Sequence, residues 1–156
     1  FSYPFGEYNL EQKNYISKNF EFAFGQHSGV IDLNKDRYEL PRFPINEKYG
    51  EIKRFKEVIS YLPLQYKIIK PENKFMNDGE NPPKMTIEFF EDQKNLENIN
   101  CFSNEGSKWR KTKIVLIDNI LNINFAEKFI ERRGRINCSL KDESGWRFSG
   151  FQFVQN

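Results

Sequence analysis

The stretch Glu51-Ile52-Lys53-Arg54-Phe55-Lys56-Glu57-Val58-Ile59-Ser60-Tyr61-Leu62-Pro63-Leu64-Gln65-Tyr66-Lys67-Ile68 changes its period halfway along. Ile52, Phe55, Ile59 and Leu62 recur at helical spacing with Lys and Glu between them, and Pro63 ends the run. Leu64, Tyr66 and Ile68 then alternate as in a strand. A helix that yields to a strand here divides the chain into two parts of different build, residues 1–62 and residues 63–156.

Upstream, strand-like and helix-like pieces alternate. Phe1, Tyr3 and Phe5 share one parity, Pro4 and Gly6 stop the run, and Asn9 with Gln12 three residues on reads as a capping box opening a helix. Phe20, Phe22 and Phe24 line one face of an extended segment that stops at Gly25, and residues 26–36 form a loop. The prolines at 41 and 44 keep residues 40–45 out of a central strand. Strand and helix units of this kind belong to α/β layers.

Downstream, strand follows strand. Candidates span residues 64–68, 85–89, 96–102, 109–117, 120–125, 128–140 and 146–154, with a polar loop at 70–84. Six or seven short strands predict a small antiparallel β-sandwich, so the expected class is α+β. In the last strand Trp146 and Phe148 have one parity and Phe151 and Phe153 the other, which predicts a bulge near Ser149-Gly150.

The 156 residues carry 24 basic and 22 acidic side chains, a balance that does not call for nucleic acid. Residues 1–62 are neutral, and the excess of +2 lies in residues 63–156, where Arg132, Arg133 and Arg135 cluster. Parity sets Arg133 and Arg135 opposite Ile136, Cys138 and Leu140, on a charged strand face that either guards an edge or binds a partner. No apolar run is long enough to span a membrane. Cys101 and Cys138 both point inward by parity, bridged or merely buried.

Self-sufficient catalytic motifs are missing: there is no Gly-x-Ser-x-Gly elbow, no phosphate loop and no paired-cysteine zinc motif. The single His27, in Gly25-Gln26-His27-Ser28-Gly29, follows a strand as ligand-binding loops of α/β layers do. It either orients a ligand and moves a proton or stabilises its loop; adjacent His and Ser seldom meet in triad geometry. Trp109-Arg110 and Trp146-Arg147 pair a flat aromatic face with a donor, as sugar sites do, although a Trp among Ile and Phe on a strand is ordinarily core.

Phe1-Ser2-Tyr3-Pro4-Phe5-Gly6-Glu7-Tyr8, the helix after it, Ala23-Phe24-Gly25 and Leu40-Pro41-Arg42-Phe43 together resemble the last part of the polysaccharide deacetylase domain, of the metal-dependent carbohydrate esterase superfamily. Asn81-Pro82-Pro83, Gly134-Arg135-Ile136-Asn137-Cys138 and Gly145-Trp146-Arg147 resemble the β-sandwich that some bacterial deacetylases carry after that domain. The resemblance implies a partial (β/α) barrel over residues 1–62 and a sandwich over 63–156. It also implies hydrolysis of N-acetyl groups on an amino-sugar polysaccharide, with a divalent metal such as zinc.

The metal ligands and base of that family precede the matching segment, so the chain is expected to hold no metal and to be catalytically incomplete without an N-terminal part of the same protein. The sequence opens on Phe1 without an initiator Met, in keeping with that expectation. By resemblance the Phe5 backbone N–H donates to the oxyanion, and Tyr3, Pro4 and Arg42 lie at the substrate; His27 falls in the region of the family's late general acid, in an atypical setting. Trp109 and Trp146 complete the candidate sugar contacts. The implied compartment is periplasmic or extracellular, and a cut barrel leaves a face to be covered by a homodimer, the sandwich or the rest of the protein. The rival reading is a non-enzymatic carbohydrate-binding module.

Overall fold

A computed structural model describes residues 1–77 and 79–155; residue 78, in the expected 70–84 loop, and residue 156 lie outside it. The described residues form two helices, α1 (Leu10–Asn19) and α2 (Ile52–Ile59), and ten strands. The strands are β1 (Leu62–Pro63), β2 (Ile68–Lys70), β3 (Phe75–Met76), β4 (Met85–Glu88), β5 (Asn100–Ser103), β6 (Arg110–Lys111), β7 (Lys113–Ile117), β8 (Ile120–Asn124), β9 (Arg133–Asp142) and β10 (Gly145–Gln155). The chain is α+β, with its strands in two sheets.

The first 61 residues hold three extended segments side by side, linked by parallel bridges from Ser2 to Phe24 and from Phe24 to Leu40. Helix α1 joins the first two. The Asn9–Gln12 capping box closes as expected, each side chain accepting from the other residue's backbone N–H at 2.8 and 2.9 Å. Tyr3, Tyr8, Ile16 and Ala23 make a small core here. The expected aromatic face of residues 20–24 is turned outward: Ala23 is buried, while Phe20 and Phe22 are exposed. The inward space is occupied by Tyr3 stacked on Tyr8 at 4.3 Å, which leaves room for alanine and not for phenylalanine. Helix α2 likewise keeps only Val58 buried and exposes Ile52 and Ile59 at 68% and 65%.

The smaller sheet, in order β2-β4-β8-β7, is antiparallel throughout. The larger runs β1-β10-β9-β5-β6. Both sheets feed one buried cluster, with Ile69, Met85, Ile87, Leu121 and Ile123 from the first and Cys101, Ile136, Cys138, Leu140, Phe151 and Phe153 from the second. The period-2 pattern makes this possible, because every second side chain of β4 and β9 is buried. Cys101 and Cys138 are directly opposed across β5 and β9 and form a disulfide.

Several expectations need correction. The larger sheet is mixed, because β1 and β3 both pair parallel to β10, one near each end of that eleven-residue strand, with Gly29 bridging Ser149 between them. Short pieces thereby cover an edge that would otherwise lie open. The strand expected over 64–68 is displaced to Leu62–Pro63 and Ile68–Lys70, and that over 96–102 begins as a 3-10 turn at Leu96–Asn98. The strand expected over 109–117 breaks at the buried Thr112 and changes sheet, β6 pairing with β5 and β7 with β8.

There is no bulge at Ser149-Gly150, where the β9–β10 register runs unbroken. The parity is lost because β10 is covered on both faces over residues 149–154. Odd residues Phe151 and Phe153 enter the main core, while Gly150 and Gln152 meet the first part of the chain. A Cβ on Gly150 would lie 2.4 Å from the Ser28 carbonyl oxygen, so only glycine admits the 26–29 loop. Nor does the arginine-bearing strand guard an edge, since β9 is paired on both sides. Arg132 and Arg133 instead hold Glu7 at 3.0 and 2.8 Å and pull its carboxyl below the ordinary range against the opposing effect of burial.

Candidate functional site

The loop carrying His27 is laid against the β9–β10 face by the Gly150 approach, and its far side is tied to Arg42. The Arg42 N–H donates to the His27 carbonyl at 3.0 Å, and its Nε donates to the Gly25 carbonyl at 3.1 Å. Between this loop, the 44–54 segment and the sheet lies a cleft of about 540 Å³ whose wall includes Gln26, His27, Arg42, Tyr49, Arg54, Trp109 and Arg135. Three candidates far apart in sequence, His27, Arg42 and Trp109, therefore share one cavity.

Trp109 is 53% exposed and Trp146 48%, so neither is the core residue that its strand neighbours suggest. Trp109 precedes β6 at the margin of the larger sheet and lines the cleft. Trp146 stands apart at the β9–β10 hairpin, opposite Lys141, whose Nζ is 5.9 Å from the ring centroid.

His27 is half-buried, and burial pushes its pKa down to about 4 against the opposing pull of Glu39. At neutral pH it is an uncharged imidazole, with one ring nitrogen engaged by the Glu39 backbone. No hydrogen bond joins its side chain to Ser28 among the described residues.

The Pro4–Gly6 turn does not itself line this cleft but packs on Gln26, which does. Gly6, at φ +69°, is packed so closely on Gln26 that a Cβ would fall 2.4 Å from the Gln26 nitrogen. Gln152 Nε2 donates to the Gly6 carbonyl at 3.1 Å, and the Arg133 guanidinium lies 5.0 Å from the Phe5 ring centroid. Phe5 adopts φ 57° and ψ 9°, a strained conformation for a bulky residue, with its ring 61% exposed. Its N–H makes no hydrogen bond among the described residues. Tyr3 is buried with its hydroxyl unpartnered, and burial raises its pKa to about 12. Pro4 is exposed beside it on a separate shallow cavity with Glu7, Gln12 and Tyr15.

Two features were not legible beforehand. Arg54 enters the cleft from α2 with nothing in the sequence to mark it, and Arg135, from the arginine cluster already noted as a possible binding face, enters from β9 without its neighbours Arg132 and Arg133. Behind the His27 loop, Glu39 accepts from Tyr8 Oη and Lys13 Nζ, each at 3.0 Å. Burial would raise the Glu39 pKa, but Lys74, Lys13 and His27 outweigh it and hold the carboxyl at about 2.

Among the described residues no three His, Cys, Asp or Glu side chains gather as a group that could hold a metal ion. No helix is long and apolar enough to cross a membrane. No known family model matches the chain, nor does any curated protein or solved structure.

Proposed function

We propose that this chain is the C-terminal, substrate-side portion of a polysaccharide deacetylase-like protein that removes N-acetyl groups from an amino-sugar polymer. The observation that carries the reading is the convergence of His27, Arg42 and Trp109 on one cleft with the Pro4–Gly6 turn beside it. An aromatic face flanked by side-chain donors is the arrangement that binds sugar rings. The unpartnered Phe5 N–H fits the role of oxyanion donor, which a backbone group fills whatever the side chain.

In this reading the three parallel segments with α1 between the first two are the end of a (β/α) barrel, and the two sheets are the appended β-sandwich. The exposed apolar stripe of α2 is then a surface for the remainder of the protein or for a second copy. The Cys101–Cys138 disulfide suits an oxidising, exported location.

The test is the reading frame ahead of Phe1 together with an assay. An Asp-Asp pair followed by His-x-x-x-His upstream, and release of acetate from chitooligosaccharides by the longer protein but not by this chain, are the expected results. A frame lacking that motif overturns the deacetylase reading. The rival, a non-enzymatic glycan-binding module, is favoured by one observation, the exposure of both tryptophans; it predicts glycan binding by this chain with no deacetylation by the longer one.

A further inference from the structure

The charged side chains along the cleft are all cationic among the described residues. Arg42, Arg54 and Arg135 all line it, and among the described residues no Asp or Glu does. The chain has eight arginines. Among the described residues Arg110, Arg132, Arg133 and Arg147 are each ion-paired, to Glu127, Glu7, Glu7 and Asp142. Of the four that are not, three meet in this cavity.

The Nε atoms of Arg54 and Arg135 are both buried and have no hydrogen-bond partner. A buried Nε–H without an acceptor is costly, and the cost is removed by an oxyanion that takes it together with a terminal N–H of the same guanidinium. Arg54 is also held in place, with its guanidinium 5.0 Å from the Tyr49 ring centroid. Trp109, on the same wall, supplies an apolar face wide enough for a pyranose ring. His27, uncharged at neutral pH through burial, lines the cleft without adding a fourth positive charge.

We propose that this cleft binds an acidic saccharide, its ring stacked on Trp109 and its oxyanion, a uronate carboxylate or a phosphate ester, held by Arg54 and Arg135 with Arg42 in support. The proposal deepens the glycan reading above by naming the substrate class, and it depends on that reading only for the sugar.

Isothermal titration of the chain with four probes tests it. These are hyaluronan tetrasaccharide, which alternates N-acetylglucosamine with glucuronate; N-acetylglucosamine 6-phosphate; neutral chitotetraose; and inorganic phosphate. Either acidic sugar should bind about tenfold or more tighter than both chitotetraose and inorganic phosphate. The tighter of the two identifies the oxyanion. The preference should shrink as ionic strength rises from about 0.05 to about 0.5 M.

Arg54→Gln and Arg135→Gln should each remove about tenfold of affinity for the acidic sugar and leave chitotetraose unchanged. Thermal melts of each variant separate lost binding from lost folding. In a Trp146→Phe background, quenching of the remaining indole reports stacking directly, and the exposed Trp109→Ala should weaken both sugars. Equal binding of chitotetraose and the acidic sugars overturns the proposal and leaves the glycan reading standing. Inorganic phosphate binding as tightly as the sugars, with no change on Trp109→Ala, overturns the proposal and the glycan reading of this cleft together. No binding by any acidic sugar overturns the proposal, while the deacetylase reading still rests on the upstream frame.

Discussion

Glu39→Gln is the most informative perturbation of the ground beneath the cleft. The wild-type carboxylate accepts from Tyr8 and Lys13 and lies within the field of Lys74, all behind the His27 loop. Its pKa stands at about 2 against an ordinary 4.5, and a tenfold change in proton affinity is about 1.4 kcal/mol, so the charged form contributes about 3 kcal/mol at pH 7. Glutamine keeps the shape and one acceptor but loses the charge. The folded pKa lies below the unfolded one, so the stabilisation is fully present above about 4.5 and is lost as pH falls toward about 2. Urea unfolding followed by tryptophan fluorescence should give a loss of about 3 kcal/mol for the variant at pH 7, shrinking to about 2 kcal/mol at pH 3.5. A loss below about 1 kcal/mol at neutral pH, or one that stays flat across this range, refutes the reasoning.

Replacing Cys101 and Cys138 by Ala, which opens a 37-residue separation closed by the disulfide, should cost about 4 kcal/mol in a denaturant titration under oxidising conditions; equal stability of wild type and variant would show that the bond does not constrain the unfolded chain. Gly150→Ala places a methyl 2.4 Å from the Ser28 carbonyl oxygen and should cost about 1–3 kcal/mol, with faster amide exchange across residues 26–29; an unchanged exchange pattern would remove the account of how that loop is seated. Lys35 is buried between the Leu64 carbonyl and Ser149 Oγ, which lowers its pKa from 10.5 to about 8. The folded state therefore binds fewer protons than the unfolded one between those values, so the melting temperature contains a component that rises with pH across about 8 to 10.5. Lys35→Met should abolish it, and a variant curve parallel to wild type would show that another group is responsible.

Local signals were read well where the cause is local. The Asn9–Gln12 box, the helix containing Ile52, Phe55 and Ile59, and the alternation of Met85 with Ile87 and of Ile136 with Cys138 and Leu140 all depend on residues within one or two turns, and all appear as written. Local pattern is insufficient where a distant partner decides the packing. The change of parity around Ser149 suggested a bulge, yet it records the arrival of Ser28 and Gly6 on the second face of β10. The outward Phe20 and Phe22 were unforeseen because Tyr3 and Tyr8 had already filled the inside. Half of the cleft was visible, as His27, Arg42 and Trp109. Arg135 was visible only as one member of an arginine cluster whose other two members pair with Glu7, and Arg54 was not visible at all, since a polar residue on a helix acquires meaning only from what the fold brings to it.

By itself, then, the sequence determined the change from helix-bearing units to strands near Pro63, the near-neutral charge and the inward parity of the two cysteines, because periodicity and composition need no knowledge of neighbours. The tertiary structure decided which strands pair in parallel, that the cysteines are bridged, and that five cationic and aromatic side chains spread over residues 42–135 share one cavity. Those outcomes depend on packing and electrostatics between residues tens of positions apart, which no local pattern encodes.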